Sequence, residues 1–151
     1  MVCRFMIGSS STRPVGLSVL AGIFFVVATV DFIGAVAFVA GLVGHFDRTF
    51  DPGWLPPWMM AEYRALPLWY VAASAIVLWP MKLGLLVGAG LAFLQQKRRG
   101  RVLANLYVVV SLLESAATVA ATGADLRMVA AIFPVLLFLL VNKVFAEDLK
   151  Y

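Results

Sequence analysis

Val15–Val43 reads VGLSVLAGIFFVVATVDFIGAVAFVAGLV, an apolar run broken once, by Asp31. An α-helix rises about 1.5 Å per residue and the hydrocarbon core of a bilayer is about 30 Å thick, so about 20 apolar residues cross it. The run exceeds that length. Nothing in hydrocarbon pairs a free backbone N–H or C=O, so the segment must close its hydrogen bonds within itself, as a helix does. A transmembrane β-barrel would show alternating segments of about ten residues, and none occur here.

Three further runs repeat the pattern. The run over 68–94 contains Pro80 and Lys82, that over 102–121 contains Glu114, and that over 126–145 contains Pro134. The expected fold is therefore all-α: one domain over 1–151, an integral membrane bundle of four transmembrane helices (15–43, 68–94, 102–121, 126–145). Composition points the same way. The chain is 63% hydrophobic and only 13% charged, with a mean hydropathy of +0.97, whereas soluble domains carry about 25% charged residues. This excludes a soluble globular enzyme and a disordered chain. Cys3 is the single cysteine, so there is no intrachain disulfide, CxxC pair or cysteine-rich metal site.

Lys and Arg set the expected orientation. Arg4 and Arg13 precede the first run, Lys97, Arg98, Arg99 and Arg101 crowd the second connection, and Lys143 and Lys150 lie at the C-terminal end. The 45–67 connection is near neutral. Positive-inside counting places both termini and the 95–101 loop in the cytoplasm and 45–67 outside. The first run is too long for a signal peptide and lacks a clear cleavage site, so a retained helix is expected. The formal charge of +4 is explained by topology. It implies the lipid bilayer as partner and no nucleic acid.

The outer connection, HFDRTFDPGWLPPWMMAEYRALP, is broken in its first half by Pro52, Gly53, Pro56 and Pro57. From Pro57 it predicts a short helix opened by proline. Trp54, Trp58, Tyr63, Trp69 and Tyr70 are expected at headgroup level, where amphipathic rings are favoured. The segment then caps the first two helices; a ligand-binding lid is the alternative.

Three ionisable residues fall mid-span: Asp31, Lys82 and Glu114. A charge at the centre of a membrane helix costs roughly 2.5–3.5 kcal/mol. All three are therefore expected to turn inward, with Lys82 between two carboxylates, as an ion pair that fixes register or as a proton, ion or solute relay. Tyr107, Ser111, Glu114, Ser115, Thr118 and Thr122 recur every three or four residues and form one polar stripe. Gly84 and Gly88 form a GxxxG expected to admit another helix, and Gly34 and Gly41 offer a second close-contact edge. Pro80 and Pro134 predict kinks.

His45, Asp47 and Asp51 have a spacing that could hold a divalent metal, but short polar loops produce such patterns by chance, and a solvated loop is the favoured reading. One histidine argues against a bis-His haem, leaving His45 with Met59 or Met60 as the alternative. No cofactor is indicated.

Arg13-Pro14-Val15-Gly16-Leu17, and later LLVGAGLAFLQQKRRGRVLANL, resemble the opening and the second-to-third-span hairpin of small bacterial four-span membrane proteins. That resemblance implies the bundle and a bacterial cytoplasmic (inner) membrane, and it brings no activity. The leading functional expectation is a non-enzymatic small accessory or structural subunit of a larger membrane complex or homo-oligomer. The alternatives are a small oligomeric transporter using Asp31, Lys82 and Glu114, and a lipid- or quinone-linked enzyme using His45, Asp47, Asp51 and Glu62.

Overall fold

In lipid, helices gain little by withdrawing apolar surface from their surroundings, so close van der Waals contact holds them together and small residues decide where it forms. A computed structural model describes residues 15–95, 97–122 and 128–145. Cys3, Arg4, Arg13, Gln96, Asp125, Arg127, Lys150 and the side chain of Thr122 lie outside what it describes.

Helix α1 spans Val15–Phe46 and is apolar on all sides, yet its buried positions follow a helical stripe. Leu17, Leu20, Ala21, Phe24, Val27 and Ala28 form one half of that stripe, and Ala37, Ala40, Gly41 and Gly44 the other. Asp31 and Gly34 fall between them at the same spacing, so Asp31 belongs to the face that meets the bundle. Val19, Val26, Val30 and Ile33 on the remaining faces are exposed.

Helix α2 (Pro57–Ala65) starts with proline at its first turn, as expected, and leads at once into a second long rod. That rod comprises α3 (Leu68–Ala73), a π-turn (Ser74–Leu78) and α4 (Trp79–Leu94). Helix α5 covers Arg99–Thr122. Helix α6 (Met128–Leu139) is followed by a second π-turn, Leu140–Val144. No strand occurs among the described residues. Helix α1 packs on α4, α4 on α5, and α5 on α6.

Three of these helices, Val15–Phe46, Leu68–Leu94 and Arg99–Ala120, are long and apolar enough to cross a membrane. The fourth expected span starts in residues outside those described, and its described apolar part, Ile132–Val144, is shorter. The two prolines sit in different backbone settings. Pro80 cannot donate to the carbonyl four residues back, and the irregular backbone takes the form of the π-turn just before it. Helix α6 continues through Pro134, and its irregular turn lies beyond.

The interior has an uneven build. A large cluster joins Leu17, Leu20 and Phe24 of α1 to Leu86 and Phe93 of α4, Ala104 and Val108 of α5, and Leu137 and Val141. It fills the half of the bundle next to the α4–α5 connection, and Phe24 meets Phe93 edge-on at 5.3 Å between centroids. Toward the 47–67 loop two small clusters form among the described residues. One joins Ala37 and Ala40 to Leu55 and Met60, the other Leu66 to Tyr70 and Val71.

Glycines of α1 accept the loop-side elements. A Cβ on Gly34 would lie 2.6 Å from the Trp79 ring, and one on Gly41 would lie 2.9 Å from Tyr63. The two glycines of the GxxxG differ in what they meet within this chain. Gly84 is exposed with nothing within 4 Å of its Cβ position, while Gly88 approaches Leu103 and Gly90 approaches Phe25. The α4 contacts therefore use Gly88 and Gly90. Gly34→Ala should cost about 1–3 kcal/mol, because the Trp79 ring is itself packed on Phe38 and cannot give way. Gly84→Ala should be neutral or slightly stabilising. Equilibrium unfolding in detergent micelles compares the two.

Candidate functional site

Asp31 of α1, Lys82 of α4 and Glu114 of α5 meet. The Lys82 Nζ lies 2.8 Å from Glu114 Oε2 and 3.5 Å from Asp31 Oδ2. Lys82 is 5% exposed. Tyr107 Oη donates to Asp31 Oδ2 at 3.1 Å. The same ammonium sits 4.1 Å from the centroid of the Trp79 ring. A cation over an indole face is attracted by the ring quadrupole, most strongly where water is excluded. Three helices are thus tied at one depth by charge-assisted contacts.

This triad is not sealed into packed side chains. It forms the floor of a cavity of about 430 Å³ that also touches Ser111, Ser115 and Thr118 of α5, Phe133 and Pro134 of α6, and Tyr70. Glu62, Tyr63 and Leu66 of the loop-side segment line it as well. The cavity therefore runs from the middle of the bundle toward the 47–67 loop. Below it, on the α4–α5 side, lies the large apolar cluster, which shares Tyr107 with the cavity wall.

The polar stripe of α5 meets the cavity through Tyr107, Ser111, Glu114, Ser115 and Thr118. Two of its hydroxyls bond back to their own helix: Ser115 donates to the Ser111 carbonyl and Thr118 to the Glu114 carbonyl. Tyr70 and Thr118 are hydrogen-bonded to each other across helices. Since the Thr118 proton is engaged by Glu114, Tyr70 is the donor. The buried Ser111 hydroxyl and the Trp79 indole N–H have no hydrogen-bond partner within the described residues.

Two residues were missed or misplaced by sequence reasoning. Tyr70, expected at headgroup level, is buried and lines the cavity; Trp54, Trp58 and Trp69 do remain exposed. Trp79 joins the site through its ring, for which the sequence offered only its place one turn before Lys82. At the opposite end, Asn142 accepts from Arg101 Nε and donates to Asn105, each at 2.8 Å, and clamps the second π-turn to α5.

The loop residues read as metal ligands are otherwise engaged. His45 Nε2 pairs with the Tyr63 carbonyl at 2.8 Å, Asp47 accepts from the Thr49 N–H and hydroxyl, and Asp51 accepts from the Gly53 N–H. That last bond closes a turn in which Gly53 has φ +70°, a backbone that favours glycine. Among the described residues no group of three or more His, Cys, Asp or Glu side chains could hold a metal ion. Met60, the haem alternative, packs against Gly44 instead.

Two groups in this loop-side segment have shifted acidities. The Thr49 hydroxyl and N–H hold the Asp47 carboxyl below its ordinary 3.8, and burial pushes the Tyr63 phenol up. No family model, curated protein or solved structure matches this chain.

Two outcomes follow from this geometry. Lys82→Met leaves two part-buried carboxylates without their cation and should destabilise the bundle by up to about 3–5 kcal/mol; adding Asp31→Asn and Glu114→Gln should restore most of that loss, as read by unfolding in micelles. A carboxyl with a depressed pKa stabilises the fold above its unfolded value and loses that contribution as pH falls. Thr49→Val should therefore raise the Asp47 titration midpoint toward 3.8, as followed by carboxyl NMR.

Proposed function

We propose that this chain is an integral protein of a bacterial cytoplasmic membrane, with four spans and both termini in the cytoplasm. In this reading it binds a small solute from the outer side in the Asp31–Lys82–Glu114 cavity, as a small carrier or solute-sensing subunit. One observation carries it: the charged triad floors a cavity, and its carboxylates keep 13% and 12% of their side-chain surface accessible. An ion pair that served only to fix register would gain from being packed shut, because each accessible face is a face without van der Waals partners. Cavities of roughly 300–1,000 Å³ lined by apolar and aromatic groups with a few convergent polar atoms are the usual form of small-molecule sites.

The subunit reading keeps support from a separate observation. Gly84 leaves a smooth, exposed place on α4 where a second copy or a partner helix can approach closely. Solute binding and assembly are compatible, since each uses a different face of α4. The enzyme reading has no comparable support, because His45, Asp47 and Asp51 are engaged in loop hydrogen bonds.

Cys3 is the chain's single cysteine, so a Cys3→Ser background makes site-directed labelling clean. In oriented vesicles, Ser115→Cys should react with a small membrane-impermeant thiol reagent added on the side of the 47–67 loop and resist it from the other side. Ala104→Cys, within the packed cluster, should resist from both. Equal reaction of Ser115→Cys from both sides, or none from either, would overturn the one-sided pocket.

A further inference from the structure

We infer that the pocket takes a small organic monocation, an amine or quaternary ammonium carrying apolar bulk. This deepens the solute-binding reading and rests on it.

Three features of the lining converge. The first is charge. At the floor two carboxylates face one ammonium, which leaves one net negative charge when all three are ionised. In a site withdrawn from water, Coulomb interactions are several times stronger than in bulk, so an anion is opposed and a cation favoured.

The second is aromatic surface. Phe38, Tyr63, Tyr70, Trp79, Tyr107 and Phe133 all line the cavity. Ring faces present negative potential, and walls of them recognise alkylammonium groups that carboxylates alone cannot distinguish from hydrated metal ions. Apolar rings also oppose a bare inorganic cation, which needs several oxygen ligands.

The third is Lys82 itself, the one cation among the described residues that line the cavity. Its position between two carboxylates and over the Trp79 ring demonstrates which chemistry this floor accommodates. Lys82 reaches Glu114 more closely than Asp31, so Asp31 is the carboxylate better able to share a second cation. The Ser111 hydroxyl, 4% exposed, lines the same cavity beside Tyr107 and can bond a ligand N–H or a polar tail.

The test uses the full chain carrying Cys3→Ser and Ser115→Cys. Protection of the introduced thiol from labelling is titrated with three probes that share a ring and differ in charge: benzyltrimethylammonium, benzyl alcohol and benzenesulfonate. The cation should protect at a concentration about ten-fold or more below the alcohol, and the sulfonate should not protect. Asp31→Asn keeps the closer Lys82–Glu114 pair and should weaken protection by the cation about ten-fold, measured relative to that variant's own unprotected labelling rate. Trp79→Leu, which leaves every carboxylate in place, should weaken it as well and serves if the Asn variant does not fold. Equal protection by all three probes, preference for the sulfonate, or brisk labelling that no cation slows would each overturn the inference while leaving the pocket intact. Failure of the introduced thiol to label at all would instead remove the pocket reading beneath it.

Discussion

An ammonium held in a low-dielectric interior must be surrounded by opposite charge or it will not stay there. Lys82 meets that demand with Glu114, Asp31 and the face of Trp79, drawn from three separate stretches of the chain. Both carboxylates contribute to holding the cation, so α1, α4 and α5 are constrained in rotation as well as in distance. In hydrocarbon, where apolar packing discriminates weakly between one helix face and another, such a contact defines a unique arrangement.

Around this tie the bundle divides its labour. Large side chains interlock on the α4–α5 side, and small residues with aromatic rings govern the other. Alanine and glycine on the loop-side half of α1 bring Trp79 and Tyr63 close without filling the space beneath them. The cavity lies at the level of the charged pairs, where the apolar filling stops.

Much of this is legible in the sequence. Length and hydropathy identify Val15–Phe46, Leu68–Leu94 and Arg99–Ala120 as membrane-length helices, because the cost of an unpaired backbone in lipid leaves no other choice. The inward turning of Asp31, Lys82 and Glu114 follows from the same desolvation argument, and the α5 stripe follows from simple periodicity. The cavity is not legible, since empty space depends on how three helices cross and no single helix records that. Nor is the role of Gly84 against Gly88 and Gly90: the GxxxG spacing marks small residues but not which neighbour lies over them. His45, Asp47 and Asp51 show that a ligand-like spacing can equally serve a loop: their polar atoms are taken up by turn hydrogen bonds two residues away or by a nearby carbonyl.

The π-turn at Ser74–Leu78 has an effect on angular phase. Tyr70 and Lys82 are twelve positions apart, and at about 100° per residue a uniform α-helix would leave them about 120° out of alignment. A wider turn absorbs one residue, which brings the offset to about 20° and puts both side chains on the same wall. Proline at position 80 thus acts as a phase corrector: by forbidding a regular turn just ahead of the lysine, it swings an aromatic ring from the far half of the rod onto the charged face.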